Sequence, residues 1–220
     1  MITLIAETNF IVEVIHDEND ARYLFDLANS GKIKLVLPAI CLLEAEQAIL
    51  FQVHNRNEFA QRCHHLAKEL DRGPRRKRNP QRSRHFIRAE AMIHELNQED
   101  QQRAQEISDQ LTKSARLLPL SPEILALKER IALNPAYGFD PSTGPILIGT
   151  DALIYAVILD YASSLPTDKQ TDQTDGHSIF FFSRDSHFHS AQLKSDLLSH
   201  NVNFCASSGG IIRGIQLCKT

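Results

Sequence analysis

Four acidic side chains each stand beside an apolar stretch of the chain, and together they could bind a metal ion. They are Glu7, Glu44, Asp151 and Asp185. A carboxylate next to a buried segment loses hydration, and a partner is needed to offset that penalty. Mg²⁺ prefers oxygen ligands, and one or two direct carboxylates with waters and outer acids are enough to hold it. If the four acids converge, the sequence therefore predicts a site for Mg²⁺ or Mn²⁺.

The chemistry expected of such a site is phosphodiester hydrolysis. A site of this kind holds a scissile phosphate, stabilises its developing charge and lowers the pKa of an attacking water. All four acids are therefore candidate catalytic and metal-binding residues. Asn9 and Ser183 stand close to two of them in the sequence and could orient them or bind phosphate oxygens. Turn formation explains either of these two residues equally well.

Each acid also has a simpler interpretation. Glu7 could stabilise a helix N-terminus. Glu44 competes with Glu46, which lies on another face of the same predicted helix, although the spacing from Pro38 favours Glu44. Asp151 could be a helix-capping partner, but its apolar surroundings favour a site residue.

Two histidines follow the last acid. His187 and His189 could bind a metal or transfer protons. Because no second matching His/Cys pair accompanies them, a solvent-exposed pair is the favoured interpretation.

The elements that must position these residues alternate between strand and helix. Strands are predicted at 2–5, 33–37, 118–120, 179–182 and 202–205, with helical patterns between them. This alternation favours an α/β fold with a mainly parallel, twisted central sheet. In such sheets the functional crevice lies beyond the carboxyl ends of the strands. A single crevice could therefore receive all four acids.

The 220 residues fit one domain carrying an elaboration. Helical patterns on both sides of a breaker-rich loop predict a helical hairpin inserted at about 55–117. The segment 163–176 is polar and holds three aspartates, so a flexible loop is predicted there.

A basic run lies in the predicted hairpin, at 71–88. Its members are Arg72, Arg75, Arg76, Lys77, Arg78, Arg82, Arg84 and Arg88. A solvated charge run is the usual interpretation. The net charge of −3 argues against a general polyanion binder, so any basic surface must be local. Since an acidic site repels phosphate, a separate cationic arm would attract nucleic acid, and arginine favours bidentate phosphate contact or base stacking.

Taken in order along the chain, these motifs resemble those of PIN-domain ribonucleases. Glu7-Thr8-Asn9 is similar to the family's Asp-Thr-Asn-like turn after the first strand, and Glu44 follows a strand and Pro38 as the second acid does. Asp151 opens a helix of small and apolar residues, as the third acid does. The segment 183–188, Ser-Arg-Asp-Ser-His-Phe, resembles the strand-end Thr/Ser-x-Asp-x-x-Phe motif. The resemblance spans the chain except for the hairpin and the 163–176 loop.

The resemblance implies a three-layer α/β/α fold and a metal-dependent endoribonuclease. RNA phosphodiester bonds would be hydrolysed by a metal-activated water, with Mg²⁺ or Mn²⁺ held by Glu7, Glu44, Asp151 and Asp185. The products would carry a 5′-phosphate and a 3′-hydroxyl.

One departure from the family leaves other functions open. The first acid is normally aspartate, whereas this chain has Glu7, which is one methylene longer. A PIN-like RNA-binding protein with weakened or lost catalysis is therefore an alternative. A further alternative is the toxin of a toxin–antitoxin pair, in which a small antitoxin-like protein covers the acidic crevice, although many PIN toxins are shorter.

The remaining expectations concern assembly and location. PIN-like domains often dimerise, and the hairpin offers an apolar surface for a homodimer. No segment approaches the roughly 20 apolar residues of a membrane span, and no basic leader opens the chain, so a cytoplasmic protein without membrane contact is predicted. The four cysteines lack CxxC spacing and are expected to be reduced.

Overall fold

The computed structural model describes residues 2–72, 81–134, 147, 149–165 and 178–217. The chain forms two compact units, one of Met1–Ala45 with Ser108–Thr220 and one of Glu46–Ile107. Four members of the basic run, at 75–78, and residues 166–176 of the predicted polar loop lie outside the described residues. The start of that loop is helical, because the helix that carries Asp151 continues to Ser164.

The first unit is built on a five-stranded parallel sheet. Its strands are β1 (Ile2–Ala6), β2 (Lys34–Pro38), β3 (Arg116–Leu118), β4 (Ser178–Phe182) and β5 (Val202–Cys205). They lie in the order β3-β2-β1-β4-β5, and all four neighbouring pairs are parallel. The chain extends the sheet from β1 in one direction and then continues from β4 on the other side. The strand order therefore switches between β1 and β4, and open α/β sheets bind ligands at such switch points.

Both faces of the sheet are covered. From the second residue onward, β1, β2 and β4 are buried at every position, although successive side chains point to opposite faces. Phe182 packs against Phe10 on one face, and Phe181 packs against Phe188 on the other. The α/β class and the mainly parallel sheet are confirmed, and this burial is compatible with the predicted three layers.

Eight α-helices and one 3₁₀ helix lie in the described ranges. They are α1 (Thr8–Ile15), α2 (Asn19–Asn29), α3 (Ala39–Arg72), α4 (Gln81–Ser114), α5 (Pro122–Leu133), α6 (Gly149–Ser164), the 3₁₀ helix (Ser186–His189), α7 (Ala191–Ser199) and α8 (Ser208–Leu217). In the first unit, α2 packs on β2 and α8, whereas α6 packs on β2 and α5. None of the described helices is both long and apolar enough to cross a membrane.

Local sequence signals account for several helix ends. The Ser121 hydroxyl accepts a hydrogen bond from the N–H of Ile124 at the start of α5, as its capping position predicts. After α2, Gly31 has φ +71°, a conformation that glycine adopts without strain. The N–H groups of Gly31 and Lys32 donate to the carbonyls of Ala28 and Leu27, which satisfies the last turn of the helix.

The second unit consists of antiparallel parts of α3 and α4. Arg56 forms an ion pair with Asp100, and the Asn97 amide donates to the Asn57 side chain over 2.9 Å. His64 lies 3.1 Å from Glu90, so the partners run in opposite directions along the two helices.

Two details of the hairpin region differ from the sequence prediction. Helix α3 is continuous from Ala39 to Arg72, and α4 ends at Ser114, so residues 116–118 form a strand rather than helix. The interpretation of the whole chain as one PIN-like domain with an insertion at about 55–117 stays a prediction.

Candidate metal centre

The ends of β1 and β4 bring two of the predicted motifs to the same edge of the sheet. Ala6 pairs with Phe182 in the register of these strands. The next residues, Glu7 and Ser183, therefore leave the sheet side by side, and Asp185 follows two positions later. Asp151 reaches the site from the first turn of α6.

Asp151, Asp185 and His187 form a group that could hold a metal ion. One potential ligand atom from each lies within 4.8 Å of the others. The His187 Nδ1 is 2.7 Å from an Asp151 oxygen and 3.4 Å from an Asp185 oxygen. Among the residues that the structure describes, this is the one group of three such side chains.

Hydrogen bonds and packing fix the loop that carries Asp185 and His187. The Asp185 N–H donates to the Ser183 hydroxyl over 3.0 Å, and the Asp185 carboxylate accepts from the His187 N–H over 2.9 Å. Phe188 is fully buried and packs edge-on against Phe181. Ser183 therefore orients Asp185 through its backbone.

Glu7 is a buried acid at the N-terminus of α1. The residue is only 4% exposed, and it stands at the N-cap position of α1. The Asn9 amide donates to Glu7 Oε1 over 2.7 Å. Burial raises the pKa of Glu7 above its ordinary value; hydrogen bonds from Asn9 and Ser183 lower it, and the nearby charge of Asp185 adds to the increase. Glu7 occupies the N-cap position of α1, so its predicted role at a helix N-terminus stays an alternative to metal proximity.

Glu44 contacts Thr8, the residue that follows Glu7. The Thr8 hydroxyl donates to Glu44 Oε2 over 2.6 Å, whereas Glu46 is exposed. Cys41 is fully buried nearby, and burial raises the pKa of its thiol, as do the charges of Glu7 and Glu44. Neither Glu7 nor Glu44 belongs to the three-residue group that could hold the metal, within the described ranges.

The structure separates the two histidines that the sequence treated as an exposed pair. Both are exposed, but His189 packs against the Phe204 ring while His187 bonds to Asp151. That hydrogen bond raises the pKa of His187, burial opposes the shift, and the charges of Asp185 and Asp151 add to it. Metal binding by His187 was one interpretation of the sequence, but it ranked below an exposed pair because no second matching His/Cys pair was found. The sequence feature that indicates a metal-binding role is the position of His187 two residues after Asp185. A metal site can combine one imidazole with carboxylate ligands, so a second histidine or cysteine is not required.

A second buried acid lies behind the same loop. The Glu13 carboxylate accepts a hydrogen bond from the Ser208 hydroxyl and lies 2.7 Å from Arg184 Nε. Arg184 also pairs with Glu18 over 3.0 Å. Burial raises the pKa of Glu13, while Ser208 and Arg184 lower it and the charges of Glu18 and Asp20 raise it. The sequence did not predict this network, which anchors the residue preceding Asp185.

The basic run is only partly described. Arg72, Arg82, Arg84 and Arg88 are exposed and belong to the second unit. The other four members, Arg75, Arg76, Lys77 and Arg78, lie outside the described residues.

The three-residue group fits a divalent cation. Ligand atoms at right angles around a metal with bonds of about 2.1 Å are about 3 Å apart. The observed separations from His187 Nδ1, 2.7 Å and 3.4 Å, lie on either side of that value. Two carboxylates and an imidazole are also a donor set that divalent first-row metals accept.

Comparison of the chain with protein-family models, curated proteins and solved structures found no match. The resemblance to PIN-domain ribonucleases therefore stays a prediction from the motifs.

Proposed function

We propose that this protein is a metal-dependent endoribonuclease with a PIN-like fold. The observation that carries the proposal is the convergence of Asp151, Asp185 and His187 beside the switch point of a parallel sheet. The two acids come from separate motifs, 34 residues apart in sequence, that resemble the third and fourth acids of that family. Glu7 and Glu44 supply further negative charge from the β1 and β2 sides.

Different residues of the chain would bind the metal ion and position its ligands. A divalent cation would stabilise the charge on the scissile phosphate and acidify the attacking water. Asp151 and Asp185 would hold it, and Ser183 keeps Asp185 in position through the 3.0 Å backbone hydrogen bond. Asn9 and Thr8 hold the carboxylates of Glu7 and Glu44, so the outer acids are fixed as well.

The glutamate at position 7 does not argue against catalysis. Glu7 lies outside the group of potential ligands among the described residues, so its extra methylene does not alter that group directly. RNA is the proposed substrate because of the resemblance to PIN-domain ribonucleases, and exposed arginines offer a contact for its phosphates.

Cleavage of a mixed single-stranded RNA pool with Mg²⁺ or Mn²⁺ tests the proposal. Asp151→Asn removes one ligand charge and is expected to lower the cleavage rate at least about 100-fold. Asp160→Asn, an exposed position on the same helix, is the matched control and should cleave like wild type. The proposed products carry 5′-phosphates. Equal cleavage by wild type and Asp151→Asn would rule the assignment out.

A further inference from the structure

We propose that His187 is a metal ligand and that the centre consequently prefers first-row transition metals such as Mn²⁺ over Mg²⁺. The inference rests on the metal site of the proposed nuclease, but it concerns which ion that site selects. It assigns a binding role to a side chain that the four-acid motif leaves out.

The first support is geometric. His187 Nδ1 faces both carboxylates, at 2.7 Å from Asp151 and 3.4 Å from Asp185. All three side chains remain accessible, with 24% of Asp151, 34% of Asp185 and 48% of His187 exposed. An ion could therefore enter from solvent and still find one nitrogen and two oxygen ligands together.

The second support is that hydrogen bonding and packing fix the backbone position of His187. The backbone N–H of His187 donates to the Asp185 carboxylate. The next residue, Phe188, is fully buried and packs against Phe181. His189 lies one position further on the same 3₁₀ helix and contacts Phe204 instead. The direction of His187 toward the acids thus follows from an anchored turn.

The identity of the ligand atom then sets the metal preference. Mg²⁺ is a hard ion that favours oxygen and keeps several waters. Imidazole nitrogen suits first-row transition metals, and affinity for mixed nitrogen and oxygen sites rises from Mn²⁺ toward Cu²⁺. A site with two carboxylates and one imidazole should therefore bind Mn²⁺ more tightly than a site of carboxylates alone, while Mg²⁺ gains little.

A competing explanation is that His187 only neutralises the two acids as an imidazolium. The two explanations predict opposite results for His187→Gln. If the histidine were merely a competing cation, its removal would leave Mn²⁺ affinity unchanged or strengthen it. If the histidine is a ligand, its removal weakens Mn²⁺ binding.

Titration calorimetry with MnCl₂ and MgCl₂ on the full-length chain, without RNA, measures the preference. Wild type is expected to bind Mn²⁺ at least about 10-fold more tightly than Mg²⁺. His187→Gln should lose about 10–100-fold in Mn²⁺ affinity and change Mg²⁺ affinity less than about 3-fold. His189→Gln is the matched control and should bind both ions like wild type. Unchanged or tighter Mn²⁺ binding by His187→Gln overturns the inference.

A spectroscopic readout separates coordination from indirect effects. Pulsed electron paramagnetic resonance of the Mn²⁺ complex should show coupling to a directly bound nitrogen in wild type and His189→Gln. The coupling should vanish in His187→Gln, whose circular dichroism spectrum should match wild type because position 187 is exposed. Nitrogen coupling that persists in His187→Gln contradicts the assignment.

The experiments distinguish a failure of the His187 ligand proposal from a failure of the endoribonuclease proposal. Mn²⁺ binding through His187 without cleavage of any RNA supports this inference and defeats the proposed function. Metal-dependent cleavage with His187→Gln binding Mn²⁺ like wild type defeats the inference and leaves the nuclease standing.

Discussion

Two buried glutamates of the first unit differ in how their charge is compensated. Glu7 and Glu13 are each less than 5% exposed, and burial raises the pKa of both. Glu13 faces the guanidinium of Arg184 at 2.7 Å, whereas the described contacts of Glu7 are hydrogen bonds from Asn9 and Ser183. Hydrogen bonds alone leave more of the desolvation penalty in place than an added counter-ion does. A metal cation bound near Asp185 would supply a positive charge close to Glu7, as Arg184 does for Glu13.

Glu7→Gln is therefore expected to stabilise the metal-free protein while weakening metal binding. The folded-state pKa of Glu7 lies above its ordinary value of 4.5. The stabilisation that comes from this raised pKa is fully present below pH 4.5 and is lost as the pH rises through the folded-state pKa. The advantage of the variant in urea unfolding should grow across that window. Its Mn²⁺ affinity should fall about 10-fold, as for an outer acid.

Glu13→Gln is the matched control, because it removes an equally buried carboxylate outside the proposed centre. The glutamine can still accept from Ser208, so its stability advantage should also grow above pH 4.5. Its Mn²⁺ affinity should fall less than that of Glu7→Gln, because Glu13 contacts Arg184 rather than the proposed centre. Equal losses of Mn²⁺ affinity in the two variants would contradict a specific role for Glu7. If Glu7→Gln is less stable than wild type at neutral pH, the hydrogen bonds to the Glu7 carboxylate outweigh the cost of burying its charge.

At the scale of elements, the sequence predicted best what local chemistry determines. Ser121 and Gly31 stand at helix ends with hydrogen bonds to their own neighbours, and serine and glycine are residue types favoured at such positions. The 3₁₀ helix and α8 were missed. Helix α8 begins within Ser207-Ser208-Gly209-Gly210, whose residue types favour turns.

Tertiary contacts explain most of the remaining differences. Ile211 and Ile215 of α8 are buried, so packing stabilises a helix that local propensity does not favour. The order of strands in the sheet also depends on pairing between distant segments. The alternation of side chains along one strand does not show which strand lies beside it. The same limit explains the site: the acids follow from motif order, whereas the approach of His187 to Asp151 depends on the packing of α6.

The contact between α8 and β4 gives a prediction for Gly214. A Cβ at this position would lie 2.6 Å and 3.0 Å from ring atoms of the buried Phe180. Gly214→Ala should therefore lower the free energy of unfolding by about 1–3 kcal/mol, although alanine is the better helix former. Equilibrium urea unfolding measures the change.

Gly210→Ala on the same helix separates packing from helix propensity. Its added Cβ would meet only the Ser207 hydroxyl, at 3.2 Å, and Cys205 Cβ at 4.0 Å. We expect this variant to lie within about 1 kcal/mol of wild type, since the Ser207 hydroxyl, which accepts from the Gly210 N–H, needs to shift only slightly. If Gly214→Ala is as stable as Gly210→Ala, the close packing of α8 on β4 is wrong.

Across the whole molecule, acidic and basic functions are assigned to different units. The proposed metal centre belongs to the unit built on the sheet, and the exposed arginines Arg72, Arg82, Arg84 and Arg88 belong to the helical unit. The net charge is only −3, so attraction of a polyanion depends on where the cations lie. Salt dependence is the property that distinguishes a phosphate-binding arm from a merely solvated charge run.

Replacing these four arginines by glutamine should weaken RNA binding without changing Mn²⁺ affinity. Each phosphate contact with a single strand contributes about 0.7 to the slope of log Kobs against log[salt], so losing four lowers the slope by up to about 3. Fluorescence anisotropy of a labelled single-stranded RNA in EDTA, from low to high salt, measures this without cleavage. A second variant replaces Lys32, Lys113, Lys194 and Arg213 by glutamine, which changes the net charge equally at other exposed positions. If both variants show the same salt slope, general charge governs binding and the arginine arm does not.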